Sequence, residues 1–139
     1  MAQQPKAMED LGQKPFFQNP ILTQPEIDQL KKYVWDKHNT NLYLSTFLDP
    51  ETGEEWLRLY WRGMTRKEYV GFMAKSQADM GQAEYEETLS GRIVMHPTLG
   101  KGLNMYDTDI VKAGVPSAIF KKFMDQMGFN LDAVTTVKL

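Results

Sequence analysis

Arg62-Gly63-Met64-Thr65-Arg66-Lys67-Glu68 is the stretch that decides the fold. The residues just before it alternate with the period of a strand, and those just after it recur with the period of a helix. Thr65 and Glu68 have the spacing of a capping box. In that arrangement the threonine hydroxyl accepts from the N–H three residues on, and the glutamate reaches back to the N–H of the cap. Met64 and Tyr69 flank the cap as a hydrophobic staple does. The expectation is a hairpin that ends at Arg62 and a helix over 65–76, with Tyr69, Val70, Phe72 and Met73 as its apolar stripe.

Upstream, residues 42–48 and 55–62 are rich in aromatic and aliphatic side chains, and Asp49-Pro50-Glu51-Thr52-Gly53 lies between them. Asp followed by Pro suits a type I turn, and Gly53 suits the left-handed residue that closes it. Leu57, Leu59 and Trp61 share one face of the second strand, and Trp56, Arg58 and Tyr60 share the other. Aromatic residues on both faces predict that both are at least partly covered. Before the hairpin, Thr23 and Glu26 form a second capping box, Leu22 and Ile27 a second staple, and Pro25 falls in the first turn of a helix over 23–38. Ile27, Leu30 and Val34 lie on one face of that helix. Residues 1–22 read as an extended arm broken by Pro5, Pro15 and Pro20, in which Phe16, Phe17, Ile21 and Leu22 are the apolar exceptions.

Downstream, Tyr85, Leu89 and Ile93 recur at i, i+4, i+8 in a helix over 82–95 that Pro97 stops. Residues 98–106 are glycine-rich and irregular, and Asp107 or Thr108 caps a short turn ending at Gly114. Pro116 opens a last helix over 116–127, with Ile119, Phe120, Phe123, Met124 and Met127 as its stripe. Gly128 and Phe129 suit the two residues beyond its end, in a Schellman arrangement. The tail over 130–139 contains Ala133-Val134-Thr135-Thr136-Val137, which has strand propensity and suits pairing with a sheet edge, its own or a neighbour's. The class is therefore α+β and mostly α-helical. One small helical domain with a β-hairpin spans 23–129, between an N-terminal arm and a C-terminal tail.

Composition narrows the function. With 16 basic and 18 acidic residues interspersed, no basic face is concentrated, and nucleic-acid binding is not expected. No apolar run approaches the roughly 18 residues of a membrane helix, and the acid-bearing N-terminus does not read as a secretory signal. The chain has no cysteine, so it has neither a disulfide nor a thiolate site.

No constellation of reactive residues emerges. His38 and His96 are far apart, each at a helix end, without a second ligand at metal spacing. Asp107 and Asp109 lack the oxygens and the bidentate glutamate of a calcium loop. Leu99-Gly100-Lys101-Gly102-Leu103 lacks the spacing of a phosphate-binding loop. Glu84, Glu86 and Glu87 read as the solvated side of a helix, and no serine has a nucleophile's context. Neither a metal nor a cofactor is expected. Nine methionines stand out instead; methionine fills irregular cores and also suits adaptable binding surfaces.

From Tyr60 to Phe129, about half the chain, the order of features resembles the short tail assembly chaperones of tailed bacteriophages. There an Arg-x-x-Thr-Arg-x-Glu-Tyr-like segment starts a helix, a Glu-rich helix ends in small apolar residues and Pro, and an Ala-Gly segment leads into an amphipathic helix closed by Gly-Phe. Here the matching residues are Trp61-Arg62 with Thr65-Arg66-Lys67-Glu68-Tyr69, then Glu84 to Glu87, Ile93-Val94-Met95-His96-Pro97, Ala113-Gly114-Val115-Pro116 and Gly128-Phe129. The arm, the loop over 98–106 and the tail after Phe129 depart from the pattern.

The resemblance implies a non-enzymatic protein of the host cytoplasm that coats the tape measure protein and helps recruit tail tube subunits. An alternative is a minor structural virion protein of the capsid, neck or tail, with arms on neighbouring subunits. Either suits partners that are other phage proteins, or a homo-oligomer. The expected contacts are Phe16 and Phe17 of the arm, Tyr69, Phe72 and Met73 of one helix, and Phe120, Phe123, Met124 and Met127 of another. Thr23, Glu26, Thr65, Glu68 and Gly128 are assigned to helix caps.

Overall fold

Thr23 heads the first helix, α1 (Gln24–His38). Its hydroxyl accepts from the Glu26 N–H at 3.3 Å, and the Glu26 carboxylate accepts from the Thr23 N–H at 2.8 Å, so both halves of the capping box form. Asn39 ends the helix in the left-handed region, φ 54°, donating its N–H to the Trp35 carbonyl. The computed structural model describes residues 21–76, 80–97, 112–129, 132 and 134–139. Phe16 and Phe17, the loop over 98–106 and the cap at Asp107 or Thr108 lie outside them.

Strands β1 (Leu42–Leu48) and β2 (Glu55–Arg62) form the hairpin, in a register that pairs Tyr43 with Trp61, Ser45 with Leu59 and Phe47 with Leu57. The turn is built by Asp49. Its carboxylate accepts from the N–H groups of Glu51 and Thr52, and its carbonyl accepts from Gly53, whose φ is 76°. Those backbone donors hold the Asp49 carboxyl below its ordinary value.

The helix expected over 82–95 stops earlier. It runs as α3 (Gln82–Ile93), after α2 (Arg66–Ser76), and the chain then extends as a third strand, β3 (Val94–His96). β3 pairs antiparallel with β2, so the sheet order is β1-β2-β3. The outer edge of β2 supplies backbone partners that outweigh one more helical turn, and Pro97 already disfavours helix in the residue before it.

Central strand β2 is covered on both faces. Leu57, Leu59 and Trp61 join Phe72 of α2, Leu89 and Ile93 of α3, and Val115, Ile119 and Phe123 of α4 (Val115–Gln126) in one buried cluster. The Trp61 ring stacks on Tyr43 at 4.6 Å and donates its indole N–H to the Ser45 hydroxyl at 2.8 Å. The opposite face buries Tyr60 and Arg62, and α1, which touches β1, buries Val34 apart from the main cluster.

At Thr65 only half of the expected capping box forms. The hydroxyl accepts from the Glu68 N–H at 3.2 Å, but the Glu68 carboxylate turns to Arg62. It accepts from both terminal guanidinium nitrogens, at 2.8 and 2.9 Å. Arg62 is 4 % exposed and also donates to the Gly63 carbonyl. A buried cation left without a carboxylate is far costlier than an N–H of a helix end left to water, so the charged pair takes the glutamate.

The far end of α4 closes as expected. Phe129 N–H donates to the Met124 carbonyl and Gly128 N–H to that of Asp125, with Gly128 at φ 89°. Met127 then packs on Gly63: a Cβ added at Gly63 would lie 2.6 Å from the Met127 methyl carbon. Among the described residues, no helix is long and apolar enough to cross a membrane.

Three outcomes test this account. Glu68→Gln keeps a side chain fit for a capping box but loses the charge facing Arg62. Urea unfolding should therefore show a loss of about 3 kcal/mol, against about 1 kcal/mol for Thr65→Ala, which removes the cap alone. Arg62 holds the Glu68 carboxyl below its ordinary value of 4.5, so the pair's contribution is complete above that pH and fades as the pH falls through the lowered value. Glu68→Gln should flatten this part of the acid unfolding curve. Gly128→Ala, forced into the left-handed region, should cost about 1 kcal/mol.

Candidate functional site

Three helices leave a groove between them. Helix α2 contributes Tyr69 and Met73, and α4 contributes Phe120 and Met124, each pair at i, i+4 and hence on one helical face. The start of α3 contributes Gln82 and Tyr85, and Met80 and Gly81 precede it. The space they enclose is about 310 Å³, at the small end of ligand-sized pockets. It adjoins at Tyr69 a second hollow of about 240 Å³, lined by Met64, Thr65, Arg66, Met127 and Phe129.

The floor is aromatic. Tyr85 lies 5.5 Å from Phe72 on one side and 5.5 Å from Phe120 on the other, the latter edge-on. Tyr69 lies 5.0 Å from Phe129 and 6.2 Å from Phe123. Such offset and edge contacts lock the rings beyond what burial alone does. The methionine sulfurs are softer, and each thioether side chain can repack around a guest.

Of the expected contact residues, Tyr69, Met73, Phe120, Met124 and Met127 line these two hollows, half-buried. Phe72 and Phe123 do not. Both are buried in the main core, where Phe72 carries the Arg92 guanidinium at 5.3 Å over its ring. The assignment of these two to a partner surface is corrected: they stand on the sheet-facing side of their helices and support the groove from beneath. Tyr85 and Phe129 also line the hollows and were not among the expected contacts. Tyr85 continues the i, i+4 series of Leu89 and Ile93, which marks a core face, but it sits where that face emerges between α2 and α4. Phe129 has the position of a helix cap, and only the docking of α4 carries its ring to Tyr69.

Among the described residues, no Asp, Glu or His lines either hollow. The Tyr85 hydroxyl donates to the Met73 sulfur at 2.8 Å, and burial, with Tyr69 beside it, pushes its pKa well above that of an ordinary phenol. It stays a protonated donor at neutral pH. Glu86 lies outside the lining and accepts from Gln82 and from the Ser117 hydroxyl. His96 stands edge-on to Tyr60 on the sheet, at 5.9 Å, and burial lowers its pKa. Among the described residues no group of His, Asp and Glu is arranged to hold a metal ion. The groove can sort guests by shape and apolar contact.

Tyr85→Phe removes the hydroxyl bond to Met73 and leaves the ring packing intact. It should lower stability by about 1 kcal/mol in urea unfolding without changing the far-ultraviolet circular dichroism. No protein-family model, no curated protein and no solved structure matches this chain.

Proposed function

We propose that this protein is a non-catalytic assembly factor that holds an apolar helix of a partner protein in the groove between α2, α3 and α4. One observation carries this reading. A groove between three helices is lined by Met73, Met80 and Met124 together with Tyr69, Tyr85 and Phe120, and among the described residues by no acid or histidine. An amphipathic helix laid in such a groove inserts side chains at i, i+3, i+4 and i+7, and methionine lets one groove accept several related helices. The resemblance to tail assembly chaperones supports a more specific form. The partner is then the tape measure protein, a long helical chain, which is shielded in the host cytoplasm while tail tube subunits are recruited.

The exposed segment 134–139, which belongs to no helix or strand, favours a second reading, a structural virion subunit whose arms contact its neighbours. The two readings separate by what happens to the protein at the end of assembly. In the first it leaves, and in the second it is present stoichiometrically in purified particles.

The test uses Met124, which is half-buried in the groove wall. Met124→Lys should weaken co-purification with a co-expressed tape measure protein at least about tenfold, equivalent to about 1.4 kcal/mol. Met124→Leu should preserve it, and both variants should keep nearly the parent's unfolding midpoint. Equal binding by the lysine variant, or stoichiometric protein in mature particles, overturns the reading.

A further inference from the structure

A second surface lies on the other side of α4, and it goes beyond the reading above because it uses a different edge of the molecule. β1 is an edge strand of the sheet, and among the described residues nothing pairs with its outer side. The backbone N–H and C=O groups on that side are therefore open to another strand. This edge is not protected in the usual ways. β1 contains no proline and no charge over its seven residues, Leu-Tyr-Leu-Ser-Thr-Phe-Leu, where edge strands ordinarily carry such residues against association. Leu44 and Leu48 are 51 % and 56 % exposed on the face away from the main core. Beneath the edge runs a hollow of about 500 Å³ between β1 and α4, bordered by Tyr43, Phe47, Ala118, Lys122 and Gln126.

The same chain carries, outside its sheet, a segment with strand propensity. Residues 134–139, Val-Thr-Thr-Val-Lys-Leu, belong to no helix or strand and are exposed throughout, with Val134 at 62 % and Val137 at 72 %. Thr135, Val137 and Leu139 fall on one side of an extended segment, and Val134, Thr136 and Lys138 on the other. At about 3.3 Å per residue the segment spans about 20 Å, nearly the length of β1. One side then turns Val137 and Leu139 towards the hollow, and the other continues the exposed row of Leu44 and Leu48.

We propose that the edge of β1 accepts segment 134–139 of a second copy of this chain as an added strand, reciprocally, so that two copies exchange strands. The segment stands off its own molecule, with its apolar side chains in solvent, which leaves it free for a neighbour's edge. Reciprocity is what the surface area requires. A single six-residue strand covers a small patch, whereas two strands and the two leucine rows beside them approach the roughly 800 Å² per partner of a standard stable interface. A two-fold pair also satisfies both edges at once and closes the assembly.

The chain has no cysteine, so single cysteines can report the contact. Differently tagged Leu44→Cys and Thr136→Cys chains, whose cysteines share the face away from the core, should give a cross-linked heterodimer when mixed and treated with a short bismaleimide. Light scattering should show the full chain as a dimer, and a chain ending at residue 133 as a monomer with the same circular dichroism. Val137→Lys should raise the dimer dissociation constant at least tenfold. A monomeric full chain overturns the proposal. So does a dimer that survives removal of 134–139, or a Leu44→Cys, Thr136→Cys double variant that links only within one chain. None of these measurements involves a helical partner, so their failure leaves the reading of the three-helix groove standing, and the converse holds.

Discussion

Arg62 brings a full positive charge to the end of β2, where its side chain is 4 % exposed. A cation there is tolerated only if a carboxylate meets it in good geometry, and Glu68 does so through two bonds of nearly equal length. The pair spans the few residues in which the chain turns from strand to helix. It therefore sets the rotation of α2 against the sheet. With Glu68 turned to Arg62, Phe72, one turn later, faces the core, and Tyr69 and Met73, each one residue beyond, come round to the groove. Arg92, at 4.0 Å from the same carboxylate and over the Phe72 ring, ties α3 to this junction.

The apolar stripe of α4 is wider than one contact needs. Val115, Ile119 and Phe123 meet the sheet and the other helices in the core, while Phe120 and Met124 border the three-helix groove. Ala118 and Lys122, on a further side of the helix, border the hollow beside β1. One helix thus divides two surfaces of different character. The groove is lined by methionine and aromatic side chains. The hollow ends at the outer edge of β1, with which no strand pairs among the described residues.

The helix starts and the hairpin turn were legible from neighbouring residues. Thr23 with Glu26, Asp49 with Gly53, and Gly128 with Phe129 each act within about one turn of chain, through hydrogen bonds whose partners sit at short, set spacings. The apolar stripes of the helices were legible for the same reason, because the period of the helix decides which side chains share a face. Half of the groove lining followed from those stripes: Tyr69, Met73, Phe120 and Met124 are all on the faces that the spacing indicates.

What the local pattern left open is what each stripe meets. Phe72 and Phe120 are equally apolar, yet one is sealed in the core and the other borders the groove, because only the docking of three helices on one sheet decides which side of a stripe is covered. Val94-Met95-His96 continues a helical period in the sequence and becomes a strand because β2 offers it an open edge. Glu68 carries the spacing of a cap and serves Arg62, since burial raises the cost of an unpaired charge above the value of one hydrogen bond at a helix end. The sequence by itself determined the helix starts, the hairpin turn and the close of α4, for those forces act between residues a few positions apart. Tertiary structure alone decided burial, the third strand and the carboxylate's partner, for those depend on water being excluded by residues distant along the chain.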